Sequence, residues 1–246
     1  MIRRTILSFL IVVLVPYSSL FANIPVSEKS KALASYIENN YALLKTTGPK
    51  PEYELFKKGL IGYLNLKKQN KLSESGLLTL IDFRMSSNKK RLWIIDLKTH
   101  EVLYHTLVAH GRNSGNEFAK KFSNVPNSNT SSLGFYVTGE TYSGKHGLSL
   151  RLDGVEAGFN NNARDRAIVM HGANYVDKSF TKNYGRLGRS FGCPSIPMGL
   201  REEIIPLIAE KSCLFIYYPD NEYLQNSNLI NEEVAYEAIH SVSYLL

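Results

Sequence analysis

Within Arg189-Ser190-Phe191-Gly192-Cys193-Pro194-Ser195, small and turn-forming residues present a single sulfur in a way that lets another molecule approach it. The backbone N–H groups of such a turn, Gly192's among them, suit the stabilisation of a developing oxyanion. Ser190 either shapes that oxyanion site or simply closes the turn. A thiol near its free pKa of ~8.5 is mostly protonated at neutral pH, so Cys193 needs a base or a positive neighbour before it can act as a nucleophile. His171 fits best among the six histidines. It follows the apolar run Ala167–Met170 and precedes Gly172, which places an imidazole at a strand end beside open space.

Other chemistries fit less well. Cys213 lies in the apolar run Cys213–Tyr218 and reads as a small buried hydrophobe. Neither a Cys-x-x-Cys nor a His-x-x-x-His pattern is present, so no metal and no cofactor is expected. A Gly-x-Ser-x-Gly elbow and a Ser-x-x-Lys motif are also missing, which disfavours the common serine acyl transfers. The order His before Cys departs from papain-like proteases.

The elements that must hold these residues read as mainly β with flanking helices. Apolar residues at helical spacing predict a helix over Ser27–Lys45 and a second around Phe56, Leu60, Tyr63 and Leu64, after Pro51. At Ile81, Phe83 and Met85 the period becomes two, as in a half-buried strand. Leu92–Leu97 and Val102–Val108 form a hairpin, and further strands are expected at Gly134–Thr138, Leu148–Leu152, Ala167–Met170 and Leu214–Tyr218. One helix follows the cysteine, over Leu200–Ala209, and a last one spans Glu232–Ser241. Between them Gly111–Leu133 is polar, aperiodic and long enough to be functional; we read it as a lid over a cleft.

Arg3 and Arg4 precede an apolar run, Ile6–Val15, and Ala22 offers a cleavage point, so residues 1–22 are expected to be a secretory signal peptide. The run is too short for a membrane span and is broken by Pro16, so no span is expected to remain after cleavage. Without the two signal arginines, the 29 basic residues against 22 acidic ones leave about +5. That suits an anionic polymer surface. No nucleic-acid partner is expected. The domain reading is a helical extension over 23–76, a catalytic domain over 77–220 and a C-terminal tail over 221–246.

Met170-His171-Gly172-Ala173 followed by Gly188-Arg189-Ser190-Phe191-Gly192-Cys193-Pro194 resembles the YkuD-like L,D-transpeptidase catalytic domain. Phe122-Ser123-Asn124, Ser131-Ser132-Leu133-Gly134, Glu140-Thr141-Tyr142 and Gly144-Lys145-His146-Gly147 resemble its murein L,D-transpeptidase branch. The resemblance runs in order from Ile81 to Tyr218. It implies a β-sandwich or distorted barrel in which Cys193 is the nucleophile, His171 its base and the Gly172 carbonyl the group that orients the imidazole. It further implies a periplasmic enzyme acting on peptidoglycan stem peptides, as a transpeptidase or, with water as acceptor, an L,D-carboxypeptidase. A non-catalytic wall-binding module is the alternative of another class.

The sequence departs from the commoner family pattern in two places. Phe191 stands where a second histidine usually precedes Gly-Cys, and Cys193 comes 22 residues after His171, a longer spacing than usual. Arg189 is expected either to hold a substrate carboxylate or to pair with an acid across the turn. Lys145, His146, Tyr142 and Asn174 are weaker candidates for substrate contact.

Overall fold

The computed structural model describes residues 26–242. The expected signal segment, residues 1–22, lies outside the described residues. Two helices come first, α1 (Val26–Leu43) and α2 (Tyr53–Lys68). Along α2, Leu55, Phe56, Gly59, Leu60 and Leu66 are buried. Glu54 in its first turn and Lys67 and Lys68 in its last complement the helix dipole. The helix ends in a Schellman motif: Asn70 is left-handed at φ 56°, its N–H reaches the Lys67 carbonyl, and the Lys71 N–H reaches Leu66.

The strands are β1 (Leu77–Asp82), β2 (Leu92–Asp96), β3 (Glu101–Thr106), β4 (Gly134–Gly144), β5 (Gly147–Gly154), β6 (Val169–Ala173), β7 (Ser195–Pro197) and β8 (Cys213–Tyr217). They form one mixed sheet in the order β3-β2-β1-β8-β4-β5-β6-β7. β1 runs parallel to β8 and β6 to β7, and the other pairs are antiparallel. Just beyond β3, Ala109 bridges Ser195 in β7, so the two edges meet and the sheet becomes a nearly closed barrel. The mainly β expectation therefore holds, in its distorted-barrel form.

Two expectations are corrected in detail, and one element is added. β1 is buried along its whole length rather than half-buried, because it pairs on both sides and α2 covers one face. Gly59 and Gly62 let α2 come so close: a Cβ at Gly59 would lie 2.4 Å from Leu80 of β1, and one at Gly62 2.0 Å from the Phe135 ring. β6 does not stop before His171 but continues through Ala173, hydrogen-bonded to β5 and β7. The stretch between Tyr175 and Gly188 holds a helix, α3 (Lys178–Tyr184), capped by the Asp177 carboxylate and ended at the left-handed Gly185.

After the turn that carries Cys193 come α4 (Arg201–Leu207), α5 (Asn221–Asn226) and α6 (Glu232–Val242). α6 packs against α1 and α2, and all three share the core of the sheet through Leu33, Ile37, Phe56, Leu60 and Ala235. Burying each Leu or Phe of that core contributes roughly 1.5–3 kcal/mol. The buried Glu156 carboxylate ties the C-terminal segment down. It accepts from the Phe135 N–H at 2.6 Å, from the Tyr223 hydroxyl at 3.0 Å and from the Ser227 hydroxyl.

Where the barrel edges meet, a fully buried cation fixes the seam. Arg91 donates to the carbonyls of Val108 and Met85 and to His110 Nδ1 at 2.8 Å, and stacks on Phe83. Burial lowers the Arg91 guanidinium to about 9. Because Arg91 donates to Nδ1, His110 is neutral, with its Nε2–H directed at the Gly115 carbonyl at 3.3 Å. Burial and the neighbouring Arg91 push the His110 imidazole down to about 3.

The fold therefore refuses a proton that the unfolded chain accepts at about pH 6.5. His110 contributes its full stabilisation above that pH and loses ~1.4 kcal/mol per unit as the pH falls toward 3. Between pH 7 and 5 the loss is about 2 kcal/mol. His105, His146 and His171, also lowered, act in the same sense, and Glu156, raised by burial, in the opposite one. The expected result is a melting temperature that drops roughly 4–8 °C over that range, with the slope shallower in His110→Gln. Equal slopes in the two proteins would remove His110 as the source.

Candidate active site

Three segments converge at the barrel seam. The turn Arg189–Pro194 enters β7, the segment after β3 pairs with it, and β6 lies alongside. The Ser190 N–H donates to the His110 carbonyl, and the Arg112 N–H to the Ser190 carbonyl. Gly192 has φ +127°, and a Cβ there would meet the Thr130 carbonyl oxygen at 2.7 Å, so the turn admits only glycine at this point. The Ser190 hydroxyl donates to the Cys193 carbonyl at 2.6 Å and accepts from the Gly192 N–H at 3.1 Å. Ser190 thus shapes the turn.

The same bond corrects the expectation for Gly192. Its N–H is engaged by Ser190, whereas the amide of Cys193 lies beside its own sulfur and makes no other hydrogen bond among the described residues. Beside the sulfur, the donor of this turn is the Cys193 N–H.

His171 sits in the middle of β6, opposite Ser149 of β5 and Ser195 of β7, so its backbone is held from both sides. Its Nδ1 lies 3.0 Å from the Gly172 carbonyl. A carbonyl can only accept, so Nδ1 carries the proton and Nε2 the lone pair. Nε2 lies 3.0 Å from Ser195 Oγ, which in turn is 3.0 Å from the Tyr175 hydroxyl. The His146 ring, from the β4–β5 turn, stacks on the imidazole with centroids 4.3 Å apart. Burial lowers the His171 pKa, and His146 and Lys145 add to the effect against the Gly172 bond.

Cys193 is free and partly exposed. Its Sγ accepts from the Val169 N–H at 3.5 Å and faces the Ala167 carbonyl at 3.7 Å. Ala167 is left-handed at φ 53°, a conformation costing an alanine roughly 1–2 kcal/mol, and it aims its carbonyl at the thiol. Burial raises the thiol pKa, opposed by the Val169 N–H, Arg166 and Lys145. At rest the pair is therefore neutral thiol and neutral imidazole.

The polar loop braces the turn that carries Cys193: Ser131 accepts from the Gly111 N–H and donates to the Gly192 carbonyl, and Arg166 bonds the loop at the Ser123 and Thr130 carbonyls and at the Ser128 and Ser132 hydroxyls. A cleft of about 440 Å³ beside the site is lined by Lys145, His146, Gly172, Asn174, Met198 and Arg201, among others, and by neither Cys193, His171 nor any residue of that loop. Arg189 neither faces this cleft nor pairs with an acid among the described residues; its Nη1 donates to the carbonyls of Arg112 and Gly115 and to Asn116 Oδ1. Tyr142 lies outside the cleft lining and stacks beneath Arg151. Phe191 is exposed against the Arg112 guanidinium.

Arg201, Ser195, Tyr175 and Arg166 escaped the sequence reading. Arg201 donates to the His146 carbonyl and lies under Gly147, where a Cβ would stand 2.3 Å from its Nη1. Only Ser195 carried a signal, being two residues beyond Cys193 and hence on the same face of any strand.

The YkuD_2 family model, described as an L,D-transpeptidase catalytic domain, matches residues 48–217. No curated protein matches the chain.

Proposed function

Because this chain belongs to the L,D-transpeptidase catalytic-domain family, we propose that it cross-links peptidoglycan through a thioester on Cys193. In this reading the sulfur attacks the carbonyl of an L-centre in a stem peptide, and its proton passes to His171 Nε2. The tetrahedral oxyanion takes the Cys193 N–H. When the carbonyl re-forms, the terminal D-alanine leaves with the proton that His171 returns. An amine of a second stem then attacks the thioester, restoring the thiol and making the new amide.

Support comes above all from the register of β6 and β7. His171 pairs with Ser195, which brings Cys193, two residues earlier, alongside Val169 with its sulfur at the seam. Gly172 meanwhile fixes the imidazole tautomer a general base requires. The cleft beside Gly172 carries Lys145 and Arg201, the latter paired with Glu202, cations suited to the carboxylates of a stem peptide. Since the His171 pKa is lowered, the acid limb of kcat/KM falls below pH 6.5. The family acts on the cell wall, and we place the enzyme in the periplasm; no described helix is long and apolar enough to cross a membrane.

The test is mass spectrometry of the protein incubated with a disaccharide tetrapeptide, with the adduct mapped to its peptide and the products separated. An acyl adduct on Cys193, free D-alanine and a dimeric muropeptide are expected. D-alanine with only a shortened monomer, even with an acceptor stem in excess, would make the protein a carboxypeptidase. No adduct and no D-alanine would overturn the reading.

A further inference from the structure

The hydrogen bonds around the base run in one direction. The Gly172 carbonyl takes the Nδ1 proton, so Nε2 must accept and the Ser195 hydroxyl must donate to it. With its only proton used there, Ser195 Oγ accepts from the Tyr175 hydroxyl. An imidazole has a single lone pair, and here it faces Ser195, whereas the Cys193 thiol has its own partners at Ala167 and Val169.

Serine, imidazole and carbonyl in this order would serve as a catalytic triad if the serine could be reached. It cannot, since Ser195 has no exposed surface, while Cys193 is partly open. The hydroxyl therefore acts on the base and not on substrate. We infer that Ser195, oriented by Tyr175, is a positioning residue that latches His171 in a resting form by occupying the lone pair Cys193 needs, so that the nucleophile is engaged only when Ser195 lets go.

This inference rests on Cys193 as nucleophile and His171 as base. On release, the Ser195 O–H turns from Nε2, the Cys193 proton moves from sulfur to Nε2 as the sulfur bonds the substrate carbon, and the ring then donates from both nitrogens. The other ionisable groups around the ring are His146 and Lys145 from the β4–β5 turn, Tyr175 after β6, and Arg201 of α4, whose Cβ and Cδ lie against Gly172. Arg166 and Lys145 act on the thiol. Of these only Tyr175, whose hydroxyl donates to Ser195 Oγ, loses a partner in Ser195→Ala.

The experiment is the rate of iodoacetamide alkylation at Cys193 as a function of pH, followed by intact mass, with the fully buried Cys213 as internal control. Loss of one competing hydrogen bond should make Ser195→Ala alkylate about tenfold faster at pH 7, with its profile displaced to lower pH. Ser195→Thr keeps the hydroxyl and should follow the wild type. Tyr175→Phe should lie between them. A Ser195→Ala profile that coincides with the wild type, or is slower, overturns the latch. Should that variant not fold, Tyr175→Phe decides alone, with an unchanged rate counting against the proposal. His171→Ala separates the two levels of inference: if it leaves the profile unmoved, the base assignment itself fails, whereas a shift there with none in Ser195→Ala sinks only the latch.

Discussion

Cys193→Ala should lower turnover by about 10⁴-fold and remove the covalent adduct, because no other group in the site can form an acyl intermediate. Cys213 cannot substitute. It lies fully buried in β8, where burial pushes its thiol far above the usual range. Ser195 is sealed from solvent, and Ser190 has its hydroxyl engaged with the turn backbone. The fold should hardly notice the change, since the sulfur makes only two long contacts, to Val169 and Ala167, and stability should stay within about 1 kcal/mol. Released D-alanine and a thermal melt of the two proteins give both numbers. Turnover within tenfold of the wild type would take the chemistry away from Cys193.

The second large effect belongs to His171. Removing the base should reduce kcat/KM at neutral pH by about 10³-fold. The thiol that remains ionises only at alkaline pH, because burial raises it and neither Arg166 nor Lys145 forms a direct ion pair with it. Residual activity of His171→Ala should therefore climb with pH through and above 8.5, where the wild type has already reached its plateau. This variant also loses the ring on which His146 stacks, so its melting temperature should fall as well. A pH–rate profile identical in shape to that of the wild type would exclude His171 as the base.

Both residues stand out in the sequence as candidates because their neighbours carry local physical meaning. Gly192 marks a backbone conformation closed to side chains, and the run Ala167–Met170 marks a buried strand leading into His171. Most strands were legible for the same reason, since β2 and β8 are apolar runs and β5 alternates leucine with Ser149, Arg151 and Asp153. α3 was not, because Lys178–Tyr184 buries no side chain and so has no apolar period to read.

The sequence by itself determined which atoms could do chemistry, since a thiol in a glycine turn and an imidazole beside a glycine are properties of residue type and immediate neighbours. Only the tertiary structure decided what those atoms face. That Gly192's amide is already engaged, that Arg189 braces a loop, and that the polar loop supports the turn all follow from closing the barrel at Ala109 and Ser195. Arg201 reaches the cleft from α4, and Tyr175 meets Ser195 from beyond the end of β6. Such pairings join positions tens of residues apart, and no local pattern encodes them. They are set by strand register, which turns on how the whole core packs.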